Sequence, residues 1–282
     1  MRRFLLAPVL AAIILFGVLA APGAAVTGGQ PDGTGHPYVA LLLAPGITFC
    51  TGTLISEETI LTAGHCTDFW DLLVDEEGLE SIMVSFDPVA SVDEDWMPDG
   101  GTWFSASEWL THPEYVEADW PLTFDYGLLY LDEPITTIEP ADLPAPNVLE
   151  PIIDSNGQTD QRFDDVGYGV QGTIVGLGPP RSAITWTRKV ATQRYRPGNG
   201  SVSGLADPLW FIVGNVPSPR HGGSCGGDSG SPLLFADTDT VVAVHTGGYR
   251  LGPNGVICGR ITSLNHRIDV PEVLDWITSN LR

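Results

Sequence analysis

Short apolar segments, separated by residues that favour turns, constrain this chain more than any other feature of its sequence. The 282 residues include 33 Gly and 23 Pro, which disfavour long helices and are frequent in loops between short strands. Segments rich in Val, Ile, Leu and aromatic residues recur between them, at 38–43, 53–62, 81–86, 127–131, 172–177, 210–213, 232–235 and 241–245. This pattern predicts an all-β fold, either antiparallel barrels or a sandwich.

Two regions depart from the strand pattern. Residues 270–281 place apolar side chains at helical spacing, with Pro271 in the first turn, and predict one amphipathic helix at the C-terminus. Residues 68–99 are rich in acids and include Asp93, Glu94 and Asp95. We predict an acidic surface loop there, interrupted by one strand.

The N-terminus has the features of an export signal. Arg2 and Arg3 precede the apolar residues 4–21, and small or turn-forming residues follow. We predict cleavage after Ala25, which leaves a single mature domain at 26–282 that is secreted to the extracellular space. The alternative is an uncleaved membrane anchor, although the apolar run is near the lower length limit for a span. No other stretch is long and apolar enough to cross a bilayer.

Charge and cysteine content exclude some classes of function. The net charge of −22 becomes −24 when Arg2 and Arg3 leave with the signal. A chain this acidic is a poor partner for nucleic acid or anionic membranes. The four cysteines predict two disulfides in an exported protein, and three pairings are possible.

Three local motifs carry the chemistry. They are TAGHC at 62–66, DYGLLYL at 125–131 and CGGDSGSP at 225–232. Hydrolysis of a peptide bond needs a nucleophile, a base and donors for the developing oxyanion. A serine hydroxyl is inert without a base, and an imidazole serves because its pKa lies near neutrality. The order His, Asp, Ser along the chain is one that this geometry uses.

Other segments, together with these motifs, resemble the trypsin/chymotrypsin family of serine peptidases over nearly the whole mature chain. VTGG at 26–29 is similar to the mature N-terminus of that family, and CTGTLI at 50–55 to an early strand. HPEY at 112–115 resembles the segment before the Asp motif, and VGYG at 166–169 the segment before the second barrel. Trp276 also fits the terminal helix of the family.

The resemblance implies a fold and a mechanism. The fold is all-β, with two six-stranded antiparallel β-barrels at roughly 26–150 and 151–282 and a C-terminal α-helix. Ser229 would attack the peptide carbonyl, while His65 acts as base and then acid and Asp125 orients His65. The backbone N–H groups of Gly227 and Ser229 would form the oxyanion hole.

The resemblance also implies two disulfides and an activation route. Cys50 would pair with Cys66, and Cys225 with Cys258, each bridge contributing about 2–4 kcal/mol. The carboxylate of Asp228 would bind the ammonium group of a new N-terminus, here Val26. Because no spacer separates Ala25 from Val26, we expect signal removal itself to produce the active form.

The specificity pocket departs from the trypsin pattern. Gly223, beside Ser224, stands where trypsin-like members have an Asp that binds Lys or Arg side chains, so we expect no trypsin-like specificity. The sequence HTGG at 245–248 resembles glutamyl endopeptidases, in which a histidine, here His245, helps to bind an acidic side chain. Thr246 and Gly247 would form the adjoining wall, and Arg260 would lie within reach. A preference for apolar or small side chains is the open alternative. Ser231 replaces the second Gly of most members and resembles some bacterial relatives.

The motifs favour one function over three others. We predict a monomeric serine endopeptidase that acts on proteins or peptides and needs no metal or cofactor. The main alternative is an inactive homologue that acts as a binding or adhesion module, although the triad is complete. An α/β-hydrolase esterase would need the order Ser, Asp, His. A metalloenzyme would need a ligand motif such as His-Glu-x-x-His, which the sequence lacks.

Overall fold

A computed structural model of the chain describes residues 26, 29–119, 123–170, 184–197, 209–214, 222–249 and 262–282. The predicted signal at 1–25 and the predicted strand at 172–177 lie outside these residues. The described residues form fourteen strands, three α-helices and a 3-10 helix at Glu117–Asp119. The strands are β1 (Gln30–Pro31), β2 (Val39–Ala44), β3 (Thr48–Leu54), β4 (Thr59–Thr62), β5 (Ile82–Ser85), β6 (Phe104–Ala106), β7 (Glu108–Thr111), β8 (Gly127–Tyr130), β9 (Phe163–Gly167), β10 (Lys189–Gln193), β11 (Trp210–Gly214), β12 (Pro232–Phe235), β13 (Val241–Tyr249) and β14 (Thr262–Arg267). The helices are α1 (Gly64–Glu77), α2 (Glu150–Asp154) and α3 (Pro271–Ser279).

The first sheet closes into a barrel through one bent segment. Its strands follow the order β6-β5-β2-β3-β4-β8-β7, and each neighbouring pair is antiparallel. Only Ser107 separates β6, which pairs with β5, from β7, which pairs with β8. The two edges of the sheet therefore belong to one bent strand, and the barrel has six strands.

The second sheet follows the order β1-β10-β9-β12-β13-β14-β11. Residues just beyond β10 close it, because Arg196 N–H donates to the Ile212 carbonyl at 2.9 Å and Gly214 N–H to the Arg194 carbonyl at 2.9 Å. Strand β1 adds to the outside of β10, with Gln30 opposite Val190. The predicted fold of two six-stranded antiparallel barrels with a C-terminal helix is thus confirmed.

Helix α1 replaces the first part of the predicted acidic loop at 68–99. Its buried side chains, which include Cys66, Trp70 and Leu73, recur every three or four residues and pack against the first barrel. The acids of the segment occupy the outer face, which is why acid content alone suggested a loop. Gly78 ends the helix in the left-handed region at φ 70°, and its N–H donates to the Leu73 carbonyl.

The two ends of the chain tie the barrels together. Strand β1, from the N-terminal side, pairs in the second sheet. Helix α3, which follows the last strand of the second barrel, packs on the first: the Tyr130 hydroxyl donates to the Asn280 carbonyl at 3.1 Å. Its observed bounds, Pro271–Ser279, lie inside the predicted segment 270–281. None of the helices among the described residues is long and apolar enough to cross a membrane.

A buried ion pair also joins the barrels. The Arg188 guanidinium, just before β10, lies 2.7 Å from Asp32 Oδ2. It donates further to the carbonyls of Val39 at 3.0 Å and Phe86 at 2.9 Å, both in the first barrel. His36 donates its backbone N–H to Asp32 at 3.0 Å. Every charged atom of this seam therefore has a partner.

Candidate active site

His65 lies at the start of α1, one residue after the helix begins. Its backbone N–H donates to Asp125 Oδ1 at 2.6 Å, and its Nδ1 lies 2.8 Å from Asp125 Oδ2. Gly64 makes this close approach possible, because a Cβ there would come within 3.0 Å of the Tyr126 backbone. The two predicted residues, 60 positions apart in sequence, are thus held together by two hydrogen bonds.

The predicted disulfide between Cys50 and Cys66 is confirmed. It links β3 to the first turn of α1, directly beside His65. The predicted partner of Cys225, Cys258, lies outside the described residues, so the second bridge stays a prediction.

Asp125 is fully buried, just before β8. Burial opposes its ionisation, but the charge and hydrogen bonds of His65 hold the pKa of Asp125 below its ordinary value. The ionised carboxylate can therefore accept a hydrogen bond from the Nδ1–H group of His65. That bond selects the imidazole tautomer whose Nε2 lone pair is free to take a proton.

Burial lowers the pKa of His65, but Asp125 outweighs it and raises the pKa above the ordinary 6.5. The carboxylate of Asp68, one turn along α1, adds to this effect. The positive form of His65 is therefore stabilised, as a base that carries a proton during a reaction requires.

Ser229 lies on a tight loop just before β12 of the second barrel. This loop contacts the first barrel. Thr51 N–H donates to the Ser229 carbonyl, and Gly230 N–H to the His245 carbonyl, both at 2.8 Å. Gly227 and Gly230 have φ of 89° and 83°, a region that favours glycine. A Cβ on Gly230 would overlap Thr62 Oγ1, and one on Gly227 would overlap Phe49. The glycines of the motif therefore serve both the turn and the contact with the first barrel.

One cavity of about 580 Å³ joins these groups. His65, Ser229 and Gly227 all line it, together with the Cys50–Cys66 disulfide. Other lining residues were absent from the predicted site, namely Thr48, Phe49, Asp68, Phe69, Trp70, Leu72, Tyr115 and Glu117. Several of them lie on α1, which the sequence pattern did not predict as a helix.

Asp228, between Gly227 and Ser229, is fully buried. Its side chain is directed towards backbone amides of the second barrel. Its carboxylate accepts the N–H groups of Gly169 at 2.7 Å and Cys225 at 2.8 Å. Val26, its predicted partner, is also fully buried. Gly167 and Gly169 leave room for the carboxylate, since a Cβ on either would overlap it.

The predicted specificity pocket is lined by neutral, hydrogen-bonded groups. Ser224 Oγ lies 2.9 Å from Ser263 Oγ, which lies 2.9 Å from His245 Nδ1. Burial lowers the pKa of His245 to about 4. Ser263 lies on β14 opposite Gly248 of β13, a pairing that no local motif indicates.

The remaining predicted pocket residues lie near this chain of hydrogen bonds. Thr246 lines the cavity, and its buried Oγ1 has no hydrogen-bond partner among the described residues. Gly247 follows a bulge in β13 and pairs with Leu264. Gly223 is buried next to Ser224, whereas Arg260 lies outside the described residues. Among the described residues, no group of three or more His, Cys, Asp or Glu side chains could hold a metal ion.

Two closed antiparallel barrels, with an Asp-His pair from one and a glycine-flanked serine from the other, define the double-barrel class of serine hydrolases. Comparisons with known proteins point to one family. The family model described as Trypsin matches residues 25–162. Brachyurin from Leptuca pugilator is 28% identical over 206 residues, which cover 71% of this chain and 76% of that protein.

A solved structure of HL collagenase has the same fold. It superposes with a TM-score of 0.59 at 18% identity, covering 89% of this chain and 96% of that one. The chain therefore resembles the trypsin family of serine peptidases: the family model covers residues 25–162, and the relative and the solved fold extend the similarity over most of the chain.

Proposed function

We propose that this protein is a secreted serine endopeptidase in which Ser229 is the nucleophile, His65 the general base and acid, and Asp125 the residue that orients His65. The observation that carries the proposal is the pair of hydrogen bonds from His65 to the buried Asp125, at the edge of the cavity that Ser229 lines. Ser229 attacks the peptide carbonyl and gives its proton to His65 Nε2. His65 then protonates the leaving amine, and a water molecule hydrolyses the acyl-enzyme by the same steps.

The oxyanion of each tetrahedral intermediate is stabilised by the backbone N–H groups of Gly227 and Ser229. Support comes from the fixed backbone around them, since Thr51 Oγ1 donates to the Gly227 carbonyl at 2.9 Å and its N–H holds the Ser229 carbonyl. Donors fixed in advance stabilise charge without reorganisation at the moment of reaction.

Activation follows from release of the Val26 amine. The new ammonium group pairs with the Asp228 carboxylate and so fixes the loop that carries Gly227 and Ser229. The burial of both Val26 and Asp228 supports this pairing. Mass spectrometry of the active secreted protein tests it, and a first residue other than Val26 would contradict it.

The specificity is not trypsin-like, because Gly223 offers no carboxylate to a Lys or Arg side chain. Two preferences are distinguished by His245. If acidic side chains are preferred, His245 must gain a proton when substrate binds, because its free pKa of about 4 leaves it neutral. Peptides with Glu, Leu, Ala or Arg before the scissile bond distinguish the two preferences. If the enzyme prefers acidic side chains, His245→Gln reduces cleavage after Glu and leaves cleavage after Leu unchanged.

The protein is exported and acts as a monomer. Support comes from the signal-like residues 1–25 and from the Cys50–Cys66 disulfide, since disulfides persist in oxidising compartments. We therefore expect the mature chain in the culture medium rather than in the cell pellet. Gel filtration tests the second point, and we expect the size of a monomer.

Cleavage of a mixed peptide library tests the activity. The mature chain beginning at Val26 cuts the library, and Ser229→Ala reduces kcat by a factor on the order of 10⁶. The matched control is Ser107→Ala, at the bend between β6 and β7, whose exposed hydroxyl donates to the surface carboxylate of Asp132. If a folded chain with Val26 as its first residue cuts no peptide, the binding or adhesion module becomes the better explanation.

A further inference from the structure

A second buried carboxylate lies beside Asp228. Asp165 on β9 is 1% exposed and Asp228 is fully buried. Two consecutive backbone amides connect them, because Ser224 N–H donates to Asp165 and Cys225 N–H to Asp228 Oδ2. The two acids therefore occupy one polar pocket beneath the loop that carries Ser229.

Ser231 belongs to the same pocket. Its hydroxyl donates to Asp165 Oδ1 at 3.2 Å, and its N–H donates to the Asp228 carbonyl at 2.8 Å. Gly167 lies against both, since a Cβ there would overlap Asp228 Oδ1 and come within 3.4 Å of Ser231 Cβ. The serine that replaces the second Gly of the family motif thus has a specific partner in this chain, Asp165.

The charges of the pocket do not balance. Among the described residues neither Asp165 nor Asp228 forms an ion pair with Lys, Arg or His. From β10, Gln193 donates its amide to Asp165 Oδ2 at 2.9 Å, and its buried Oε1 has no partner among the described residues. Two neighbouring buried carboxylates can both stay ionised only if a cation lies beside them. Without a cation, one of the two takes up a proton.

The other charged groups nearby are few. Asp164, next to Asp165, lies on the opposite face of β9 and accepts the Thr192 hydroxyl at 2.6 Å. Lys189 lies opposite Gly167 in the β9–β10 pair, and burial lowers its pKa. Burial also raises the pKa of both Asp165 and Asp228, and the charge of Asp165 raises that of Asp228 further.

We propose that Asp165 is a positioning residue that forms, with Asp228, a two-carboxylate receptor for the Val26 ammonium group. This rests on the proposed pairing of Val26 with Asp228. At neutral pH the ammonium group balances one carboxylate and a proton balances the other. At higher pH Asp165 releases its proton and becomes a second negative charge beside the ammonium group. The Val26 amine therefore stays protonated and bound at a pH at which a single carboxylate would no longer hold it. Asp165 therefore extends the active pH range upwards.

The reactivity of the Val26 amine tests this directly. Lys189 is the only lysine of the chain, so the mature protein has just two amines, and acetylation of each by acetic anhydride is measured by mass spectrometry. In the wild type we expect Val26 to resist acetylation until well above pH 8, the ordinary range of a free α-amine. Asp165→Asn lowers the pH midpoint of this protection by about 1 unit. The alkaline midpoint of kcat/KM falls by the same amount.

Asp164→Asn is the matched control, because it removes the same charge from the adjacent residue on the other face of β9. The charge of Asp164 is the smallest of the influences on the pKa of Asp165, so this variant should move both midpoints by much less than Asp165→Asn. Equal shifts in Asp164→Asn and Asp165→Asn, or no shift in either, overturn the role of Asp165. A second variant, Ser231→Ala, removes a hydrogen bond to ionised Asp165 and should shift both midpoints in the same direction by less, which keeps the test open if Asp165→Asn fails to fold.

The result separates this inference from the proposed function. A wild-type Val26 amine that reacts like a free amine at every pH contradicts the pairing with Asp228, and with it the receptor. A protected wild-type amine whose midpoint does not move in Asp165→Asn contradicts only the role of Asp165. Protection of Val26 without peptide cleavage supports the receptor and contradicts the endopeptidase activity.

Discussion

Two buried acid clusters lie at the ends of β10, and they differ in how their charge is balanced. At the beginning of the strand, Asp32 faces the Arg188 guanidinium at 2.7 Å and accepts a hydrogen bond from His36. Further along the strand, Gln193 contacts Asp165, the neighbour of Asp228, and no side-chain cation among the described residues pairs with either acid. The first cluster is complete within the folded chain, whereas the second needs a charge from elsewhere.

The difference separates a structural role from a functional one. Burial opposes the ionisation of Asp32, but His36 and Arg188 hold its pKa below the ordinary value. Burial raises the pKa of Asp165 and Asp228, because no such partner offsets it. The Asp32–Arg188 cluster, whose charges are paired, stabilises the junction of the barrels. The Asp165–Asp228 cluster, whose charges are not paired by a described side chain, is suited to binding an ammonium group and so to ordering the Ser229 loop.

The largest expected effect is on stability, at the balanced cluster. Asp32→Asn leaves the Arg188 guanidinium buried without its counter-charge and lowers the free energy of unfolding by about 3–5 kcal/mol. Urea denaturation of the mature protein measures this. Asp75→Asn, at an exposed carboxylate of α1, serves as control and should change the value by less than about 0.5 kcal/mol. A loss below about 1 kcal/mol for Asp32→Asn would remove the contrast between the clusters.

The next effect is on activity, at the unbalanced cluster. Asp228→Asn removes the proposed partner of the Val26 ammonium group, so the proposed oxyanion donors should lose their fixed position. We expect kcat/KM to fall by about 10²–10³-fold, comparable to the loss of one oxyanion donor. The free energy of unfolding should fall by less than in Asp32→Asn, because the Val26 ammonium group at the chain end can return to solvent whereas the Arg188 guanidinium stays buried. A stability loss as large as that of Asp32→Asn would show that both clusters are structural.

The pH dependence of stability should have opposite signs at the two clusters. The lowered pKa of Asp32 gives stability that is present above its ordinary pKa of 3.8 and lost as the pH falls through the folded value. The raised pKa of Asp165 gives stability that is present below 3.8 and lost as the pH rises through its folded value. The advantage of wild type over Asp165→Asn therefore shrinks with rising pH, by at most about 1.4 kcal/mol per unit. Urea midpoints from pH 4 to pH 8 test this, and an advantage that grows with pH contradicts it.

The smallest effect concerns His65. Asp68 helps to raise the pKa of His65, and the proposed mechanism requires the neutral imidazole as base. Activity therefore rises with pH through this raised pKa. Asp68→Asn should lower the acid midpoint of kcat/KM by about 0.3 unit, a small shift because Asp68 is partly exposed to solvent. Asp75→Asn, further along the exposed side of α1, should leave the midpoint in place, and an equal shift there would mean a general charge effect.

Local motifs account for what could be predicted from the sequence. His65, Asp125 and Ser229 lie in short motifs that can be recognised without the structure. Apolar runs separated by turn residues indicated an all-β fold, and the family resemblance narrowed that fold to two barrels. Helix α1 was missed because its acids form a single outer face over a buried face of Cys66, Trp70 and Leu73. Counting acids does not reveal that arrangement.

Pairings between distant residues explain the rest. Arg188 and Asp32 are 156 positions apart, and Asp165 and Ser231 are 66 apart. Each residue, taken alone, is an ordinary polar residue near a strand. The register of β1 against β10 brings Asp32 to Arg188, and the register of β9 against β12 brings Asp165 to Ser231. Both registers depend on the closed barrel rather than on neighbouring residues.

The most direct test of the account is covalent labelling of the mature protein with a fluorophosphonate, which reacts with serines activated by a neighbouring base. We predict one adduct per chain, located at Ser229 by peptide mass spectrometry, with none in Ser229→Ala and with labelling slowed by about 10⁴-fold in Asp125→Asn. An adduct at another serine, or no adduct in a folded chain that begins at Val26, would contradict the assignment of Ser229, His65 and Asp125 as the catalytic residues.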